Sequence, residues 1–451
     1  MTGTLSTRYF LVNGTTTTAP NNLTTGVIQA LIPNGTSYTT LNGTGQANGT
    51  FIIPNVPQGT FLLRLGTTLL ETSNRTFTFE NAQLGRPNAT TATVNPTTMV
   101  VNVSSHVAWA QGQDEFIWVS PNVGATFYDY ETYASTPPTA GATSSSLSVN
   151  FNGTLLVDQS AGDQVWLLQN RFTTDGGVGV GGTIAAAALP PFSQLNGQTT
   201  SVSTALQTPP ALPGLTQSLN WNLNAFAALQ PSLPPGTNPR GTIVFSAFPS
   251  TTPSTLTLVN SWFSLVTAGL PPPTTFTLLT PFPSGWAITG RTFFAVDTPR
   301  TVPGTSGPVA LASGLGHYDT LAALTGAPIT PRLGPVTNIT LNGTALTTDR
   351  TGAGTTLQLA WTAPGLGTPT TYYVIVSRLN GAPGAATSVA ERFTISVAGT
   401  SLTIPPSILI PGQPYVFEVQ AVSSPFNARA EFFTAAVPTA ISYVVTPIVT
   451  L

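Results

Sequence analysis

The chain is 451 residues long, carries 13 basic and 15 acidic residues for a net charge of −2, and has charge at only 6% of its positions. All the basic residues are arginine, and the lack of lysine and cysteine excludes disulfides, thiolate metal ligands, cysteine nucleophiles and lysine Schiff bases. Without runs of arginine or a long apolar stretch, we expect neither nucleic-acid binding nor a membrane-spanning segment, and we expect no cofactor.

Short runs of Val, Ile, Thr and Phe, separated by Gly, Pro and Asn, recur along nearly the whole chain. This pattern predicts an all-β protein built from several β-sandwiches. A chain of this length usually forms more than one domain, and we expect three, at residues 1–94, 95–327 and 328–451. The one helix that the pattern predicts is short and covers Asn222 to Leu229.

In the first region, the stretch GTFIIPNVPQGTFLLRL (49–65) has apolar residues at alternate positions on both sides of a proline-containing corner. We expect the strand of Phe51 and the strand of Phe61 to pair as a hairpin. The stretch resembles the carboxypeptidase regulatory-like (transthyretin-like) sandwich over about residues 5–85, with Phe61 where that family more often has tyrosine. The resemblance implies a noncatalytic module.

The central region, 95–327, predicts about eight strands joined by long Pro- and Thr-rich loops. This number of strands favours a larger sandwich, jelly-roll-like in type. We expect the Pro-, Gln- and Ser-rich segment 189–239 to run over the surface. The expected strands cover 99–103, 116–119, 148–157, 164–172, 241–248, 255–263, 276–279 and 286–296.

The last region, 328–451, contains an alternating strand with Trp361 and a following strand with Tyr373. Tyr415 then stands at the head of a strand, six residues after an apolar anchor. This is the spacing of a tyrosine corner, in which the hydroxyl bonds to the backbone a few residues upstream. These residues resemble a fibronectin type III domain over about residues 330–451, which implies a two-sheet sandwich and little about function, because that fold hosts many roles.

Catalysis requires titratable groups held close together, and His106 and His317 lie far apart in the sequence. The segment SGLGHYD, from Ser313 to Asp319, contains Ser, His and Asp, but a triad needs them on separate, converging elements, so we interpret it as a turn. The pattern GVGVGG at 177–182 fits a dinucleotide-binding loop by letter, yet no acidic residue follows at the required distance. We interpret it as a hairpin loop and expect no catalytic residue.

Acidic residues cluster in the central region. The favoured interpretation is solvated turns or ion pairs with arginine. Two alternatives remain for this cluster. One is a calcium site built from carboxylates and loop carbonyls, so whether the chain binds a metal is left unknown at this stage. The other is a pair of carboxylates that hydrolyses a glycoside. The residues concerned are Asp114, Glu115, Asp129, Glu131, Asp158 and Asp163.

Exposed aromatic rings could form a platform for a sugar. Most of the seven tryptophans lie in alternating apolar runs, and we expect those to be buried. Trp109 and Trp221 are flanked by small or polar residues. They are the two candidates for ligand contact, with a surface glycan as the possible partner.

These features favour a noncatalytic structural or adhesion protein that is secreted or held at a cell surface. The order of modules and the composition resemble uncharacterised surface proteins of myxobacteria and related bacteria. The first residues, MTGT, are not a signal peptide, so the chain is either cytoplasmic or numbered from after a removed export segment. The lysine-free composition, rich in Thr, Asn, Gly and Pro, favours an export segment before this numbering. Two alternatives stay open. One is a homo-oligomeric filament or layer, in which the tail 440–451 or the strand near 9–12 completes a neighbour's sheet; the other is a carbohydrate-binding accessory module.

Overall fold

The computed structural model describes residues 1–120, 125–128, 138–175, 178–209, 211–230, 239–249, 263–267, 274–280, 282–381, 383–426 and 436–451. The chain is 53% strand and 5% helix, in several sheets, which confirms the all-β prediction and its sandwich character. Among the described residues, no helix is long and apolar enough to cross a membrane.

The described strands and helices are numbered here in chain order. The first region contributes β1 (Thr2–Phe10), β2 (Thr16–Pro20), β3 (Ile28–Asn34), β4 (Ser37–Asn42), β5 (Thr44–Gly45), β6 (Thr50–Ile52), β7 (Phe61–Leu65), β8 (Thr68–Thr72) and β9 (Thr76–Leu84). The central region contributes β10 (Thr98–Ser104), β11 (Asp114–Ser120), β12 (Ala125–Tyr128), β13 (Ser145–Asn150), β14 (Trp166–Asp175), β15 (Val178–Ala188), β16 (Thr199–Ala205), β17 (Ala211–Leu219), α1 (Leu223–Ala228), β18 (Pro239–Phe248), β19 (Phe263–Thr267), β20 (Thr274–Leu279), β21 (Ala287–Arg300), β22 (Val309–Thr320) and α2 (Leu321–Thr325). The last region contributes β23 (Thr337–Leu341), β24 (Thr344–Ala345), β25 (Leu357–Thr362), β26 (Thr371–Asn380), β27 (Ser388–Val397), β28 (Ser401–Ile404), β29 (Pro414–Ser423), β30 (Thr439–Val445) and β31 (Val449–Thr450).

The first region forms two facing sheets. In one, β1 pairs antiparallel with β2 and β6 and parallel with β9; in the other, the order is β4-β3-β7-β8. Phe51 and Phe61 meet in the core between these sheets. The expected hairpin is wrong, because β6 pairs with β1 while β7 pairs with β3 and β8. The proline corner carries the chain from one sheet to the other, so both phenylalanines enter the same core from opposite sides.

Two strands of the second sheet, β7 and β8, are buried on both faces. Leu63 and Leu70 face the core of the first region. Leu62 and Leu69, their chain neighbours, face the other way and join a core formed mainly by the last region. Because successive side chains of a strand point to opposite faces, a strand buried on both sides is apolar at consecutive positions. The two adjacent leucine pairs therefore mark contact between regions.

In the central region, a small sheet of β13-β10-β16 packs against one face of β11 and β14. Phe116 faces this core, and Ile117 faces a second core that contains Phe245 and Phe294. The segment 189–239 does not simply run over the surface as expected. It contributes β16, β17 and α1.

The predicted short helix is present as α1. The side chain of Asn222 accepts a hydrogen bond from the backbone N–H of Ala225, 3.2 Å away, and so caps the first turn. Phe226 points from this helix into the core with an exposed fraction of 0%. The buried aromatic ring attaches the helix to the sheet.

The last region is a sandwich of two sheets. One has the order β24-β23-β25-β28, and the other has the order β30-β29-β26-β27 with β31 beside β29. Trp361 from the first sheet meets Tyr372 from the second with ring centroids 5.4 Å apart. The hydroxyl of Tyr415 accepts a hydrogen bond from the backbone N–H of Ile410, as the tyrosine-corner spacing predicts. The family resemblances themselves stay predictions.

One sheet of 17 strands runs through all three regions. Its pairings follow the order β12-β11-β14-β15-β19-β18-β21-β22-β30-β29-β26-β27-β8-β7-β3-β4, with β31 beside β29. We call it the continuous sheet. Strand β22 pairs with β30 across the predicted boundary at residue 327, and β8 pairs in parallel with β27. The three-domain division stays a prediction, while the backbone pairing joins the regions edge to edge.

Candidate functional site

A groove of about 340 Å³ opens on the outer face of the continuous sheet, where β22 of the central region meets β30 of the last region. The opposite face of the same strands is buried in cores that contain Phe294, Leu315 and Val419. We call this depression the sheet groove. It lies at a junction between two parts of the fold, which is a common place for ligand sites.

The floor of the sheet groove is formed by one row of residues. They lie opposite one another on five neighbouring strands. The row runs through Arg240, Ala295, Gly314, Tyr443 and Gln420. Four strand spacings of about 4.8 Å make the row about 19 Å long. Large side chains stand at its ends and small ones near its middle, and a Cβ on Gly314 would lie only 2.9 Å from the hydroxyl oxygen of Tyr443. A Cβ there would also lie 2.6 Å from the carbonyl oxygen of Phe294, so glycine allows these neighbouring groups to approach closely.

Two arginines form one wall. Arg240 is paired with Asp297 at 2.9 Å. The guanidinium carbon of Arg291 lies 4.4 Å from the centroid of the Phe293 ring and 5.9 Å from that of Tyr318. Arg291 takes part in none of the six ion pairs among the described residues. The groove therefore contains a positive charge that is held by aromatic rings and not by a carboxylate.

The other wall is polar and partly buried. The amide Nε2 of Gln420 donates a hydrogen bond to the carboxylate of Glu418, 2.5 Å away. Burial raises the pKa of Glu418, and the Gln420 bond and the charge of Arg392 offset only part of this rise. Burial also raises the pKa of Tyr443 to about 12, helped by the nearby Glu418. At neutral pH this wall offers a neutral hydroxyl, an amide and a carboxyl that takes up a proton more readily than an exposed glutamate.

The two tryptophans that the sequence suggested for ligand contact are both buried. Trp109 is 2% exposed and packs against Phe116, with ring centroids 4.9 Å apart. Trp221 is 9% exposed and lies edge-on to Phe226 at 6.2 Å. Their small and polar neighbours leave the rings room to turn into the cores, so neither ring offers a face to a sugar.

The two histidines lie in separate cores. In His106, Nδ1 lies 2.9 Å from the carbonyl oxygen of Val107 and Nε2 lies 2.8 Å from the hydroxyl of Ser145. His317 is 2% exposed, and its Nδ1 has no hydrogen-bond partner among the described residues. His106 is therefore fixed by its neighbours, whereas His317 is enclosed without a partner for one ring nitrogen.

The turn expected from Ser313 to Asp319 is wrong, because these residues form part of the long strand β22. The hydroxyl of Ser313 accepts a hydrogen bond from the backbone N–H of Val445 at 3.0 Å. Asp319 is paired with Arg332. The pKa of His317 is lowered to about 4, mainly by burial and also by the charge of Arg332, and Asp319 offsets only part of this fall. The three side chains share one face of one strand and serve separate contacts.

The acidic residues that the structure describes make ion pairs and turns. Asp114 accepts two hydrogen bonds from Arg171, at 2.6 and 2.7 Å. Asp163 does the same with Arg86, at 2.8 and 3.0 Å. Both carboxylates are fully buried at the side chain, and buried charges are stable only when paired in this way.

Of the remaining acidic candidates, the structure describes Asp158 and Glu115 but not Asp129 and Glu131. The side chain of Asp158 accepts a hydrogen bond from the backbone N–H of Ser160 and so begins a short turn. Glu115 lies on β11. Asp129 and Glu131 lie outside the described residues. In the part of the chain that the structure covers, no three His, Cys, Asp or Glu side chains are grouped as a metal ligand set.

Residues 178–182 of the glycine pattern lie in a strand. Strand β15 begins at Val178 and pairs antiparallel with β14, with Asp175 opposite Val178. A dinucleotide-binding loop would instead lead into a helix. The expected hairpin loop is therefore wrong for residues 178–182, which belong to β15. Strands β14 and β15 do pair as neighbours, and residues 176–177 lie outside the described residues.

The segments suggested for strand addition are paired within the chain. Strand β30, from the tail, is bonded on one side to β22 and on the other to β29. The residues Tyr9 and Phe10 of β1 are paired with both β2 and β9. Strand exchange from either segment would first have to break these bonds.

Sequence reasoning did not find the sheet groove. Its residues come from strands spread between Arg240 and Tyr443, so no local pattern contains them. One signal was present: Glu418 lies between Phe417 and Val419 in an apolar strand, where a charge is unusual.

No protein-family model and no curated protein matches the chain.

Proposed function

We propose that this chain is a noncatalytic structural or adhesion protein, secreted or held at a cell surface. The observation that supports this best is the continuous sheet, whose strands from all three regions pair edge to edge. Moving one region against another would break several buried backbone hydrogen bonds at once, and each broken bond would leave polar groups unpaired. Such a body keeps its shape under load, which a scaffold requires.

The contact between the first and last regions adds a shared core to the strand pairing. Leu62 and Leu69 belong to the same buried cluster as Ile395. At the edge of this cluster, the hydroxyl of Tyr38 donates a hydrogen bond to the carbonyl oxygen of Thr403, 2.8 Å away. A hinge at this place would expose apolar surface to water, and that exposure opposes bending.

The first region is also fixed to the central region. Phe10 packs against Phe248 with ring centroids 4.8 Å apart. The indole N–H of Trp286 donates a hydrogen bond to the carbonyl oxygen of Val12 at 3.2 Å. Each region therefore contacts both of the others, and this arrangement supports a rigid body over a string of independent modules.

The composition supports the location. With charge at only 6% of positions and threonine at about one residue in six, hydroxyl and amide groups hydrate most of the surface. Interactions of neutral groups are not screened by salt as exposed ion pairs are. This is an advantage where the ionic strength outside a cell varies.

Two measurements test the proposal. Scanning calorimetry of the whole chain is expected to give one cooperative transition, because the regions share cores and strands; separate, independent transitions would contradict the rigid-body argument. Antibody labelling of intact cells of the native source is expected to detect the chain at the surface or in the medium. Labelling that requires permeabilised cells would refute the location.

A further inference from the structure

We propose that the sheet groove binds a carboxylated saccharide, a uronic-acid unit of an acidic glycan, with Arg291 as the anchor for the carboxylate. This goes beyond the scaffold function, which does not depend on any ligand. It assigns to the groove a class of partner and an orientation.

Arg291 is the first support. Its guanidinium is stacked 4.4 Å from the Phe293 ring centroid and is not paired with a carboxylate among the described residues. Stacking uses the face of the planar group and leaves its N–H edge available, and that edge matches a carboxylate through two parallel hydrogen bonds. Because the aromatic contact already orients the side chain, little further ordering is needed on binding.

Arg240 is a poorer anchor. It is 54% exposed at the side chain and already paired with Asp297. A ligand would have to compete with that carboxylate and with water. Arg291 is therefore the position where an incoming negative charge gains most.

The opposite wall suits hydroxyl groups. Gln420 supplies an amide that both donates and accepts, Tyr443 supplies a hydroxyl, and Glu418 supplies carboxyl oxygens. Thr242 adds a hydroxyl on the arginine side, on the same strand as Arg240. A sugar ring presents donors and acceptors at several positions of its rim, so mixed neutral partners fit it better than they fit a bare inorganic anion. The cavity of about 340 Å³ is at the lower end of the range of about 300–1,000 Å³ for small-ligand pockets.

The charge balance favours a single carboxylate inside the groove, as one uronic-acid unit of a glycan would supply. Arg291 contributes one uncompensated positive charge, whereas Glu418 on the opposite wall would repel a second negative charge. A phosphate group, which carries up to two charges, would be placed between these walls at a cost. One carboxylate beside neutral hydroxyls satisfies both walls.

The test is titration calorimetry of the whole chain at pH 6 with trigalacturonic acid. Wild-type protein is expected to bind, and Arg291→Gln to bind at least 10-fold more weakly. Arg8→Gln is the matched control: Arg8 is also an arginine on the surface of a strand, paired with Glu80 in the first region, and its loss should leave binding unchanged. The fully methyl-esterified trisaccharide, which lacks the charge, should lose affinity as the Arg291 variant does.

Three results of the direct titrations would overturn the proposal. These are no binding by wild-type protein at millimolar ligand, equal binding of the acid and its methyl ester, and equal binding by Arg291→Gln in a sample whose melting temperature matches wild type. Acetate and inorganic phosphate are the competitors. If either displaces the trisaccharide at an equal concentration, the groove is a simple anion site and the saccharide assignment fails. Gln420→Ala tests the hydroxyl side independently and should weaken binding of the acid. The scaffold proposal is unaffected by these outcomes, because calorimetric unfolding tests it separately.

Discussion

The hydroxyl of Tyr415 accepts a hydrogen bond of 2.9 Å from the backbone N–H of Ile410, five residues earlier in the chain. Tyr415 is 1% exposed, so this bond is shielded from water. The contact fixes the loop before β29 to the head of that strand. The spacing in the sequence predicted this bond. Removing the hydroxyl would measure how much such a corner contributes to the free energy of unfolding.

Tyr415→Phe should lower the free energy of unfolding by about 1–3 kcal/mol, because the N–H of Ile410 loses its acceptor while the ring still fills its place. Denaturant titration of the whole chain measures this. Tyr9→Phe is the control, since the hydroxyl of Tyr9 makes no hydrogen bond in the described part of the chain. Equal stability of the two variants would show that water replaces the bond.

Leu69→Ala should lower the free energy of unfolding by about 2–5 kcal/mol, the usual range for a fully buried leucine. Leu69 is 0% exposed and lies in the core shared by the first and last regions. The calorimetric peak should move to lower temperature as a whole. Leu195→Ala, at a position that is 58% exposed, should change the free energy by less than about 0.5 kcal/mol. A new, separate low-temperature transition in the Leu69 variant would argue against a shared core.

His317 should make the protein less stable in acid. Its pKa is about 4 in the folded chain, against 6.5 for an ordinary histidine, because burial disfavours the charged ring. Between these values the unfolded chain binds the proton and the folded chain does not, so the stability present above pH 6.5 is lost as the pH falls towards 4. The loss is about 3.5 kcal/mol, from a pKa difference of 2.5 between 6.5 and about 4 at about 1.4 kcal/mol each.

The measurement is denaturant unfolding of wild type and His317→Phe at several pH values between 7 and 4. The variant keeps an aromatic ring beside Phe226, which lies 6.5 Å from the histidine ring. Its stability should depend less steeply on pH, whatever its absolute value. Identical slopes for the two proteins would rule out His317 as the source.

Glu418→Gln should stabilise the protein at pH 7 and have little effect at pH 3. The pKa of Glu418 is raised by burial, so the folded chain holds the proton more tightly than the unfolded chain. Stability from this group is present below the unfolded pKa and is lost as the pH rises through the folded pKa. Glutamine has no charge to bury at pH 7, so the variant does not lose this stability as the pH rises.

Thermal unfolding at the two pH values tests this effect. Glu80→Gln, at an exposed ion pair with Arg8, is the matched control and should change little. A Glu418 variant that is less stable than wild type at pH 7 would mean that the carboxylate makes a favourable contact stronger than its burial penalty.

Some elements could be predicted because local rules decide them. Alternation in 49–65 indicated that Phe51 and Phe61 are core residues, and spacing placed Tyr415 at its corner. Two long strands were missed. Strand β15 contains the glycine- and alanine-rich run from Val178 to Ala188, and β22 contains three small residues near its centre. Such residues have low strand propensity, and pairing on both sides overrides it.

The sequence by itself determined the all-β class, several strand positions and the small number of titratable side chains, because side-chain periodicity and composition act within a few residues. Only the tertiary structure decided that β6 and β7 belong to opposite sheets, that Trp109 and Trp221 are buried, and that Arg291 faces Tyr443 and Gln420 across a groove. These relationships depend on which strands lie side by side. That choice minimises exposed apolar area over the whole molecule, and no short stretch of sequence contains it.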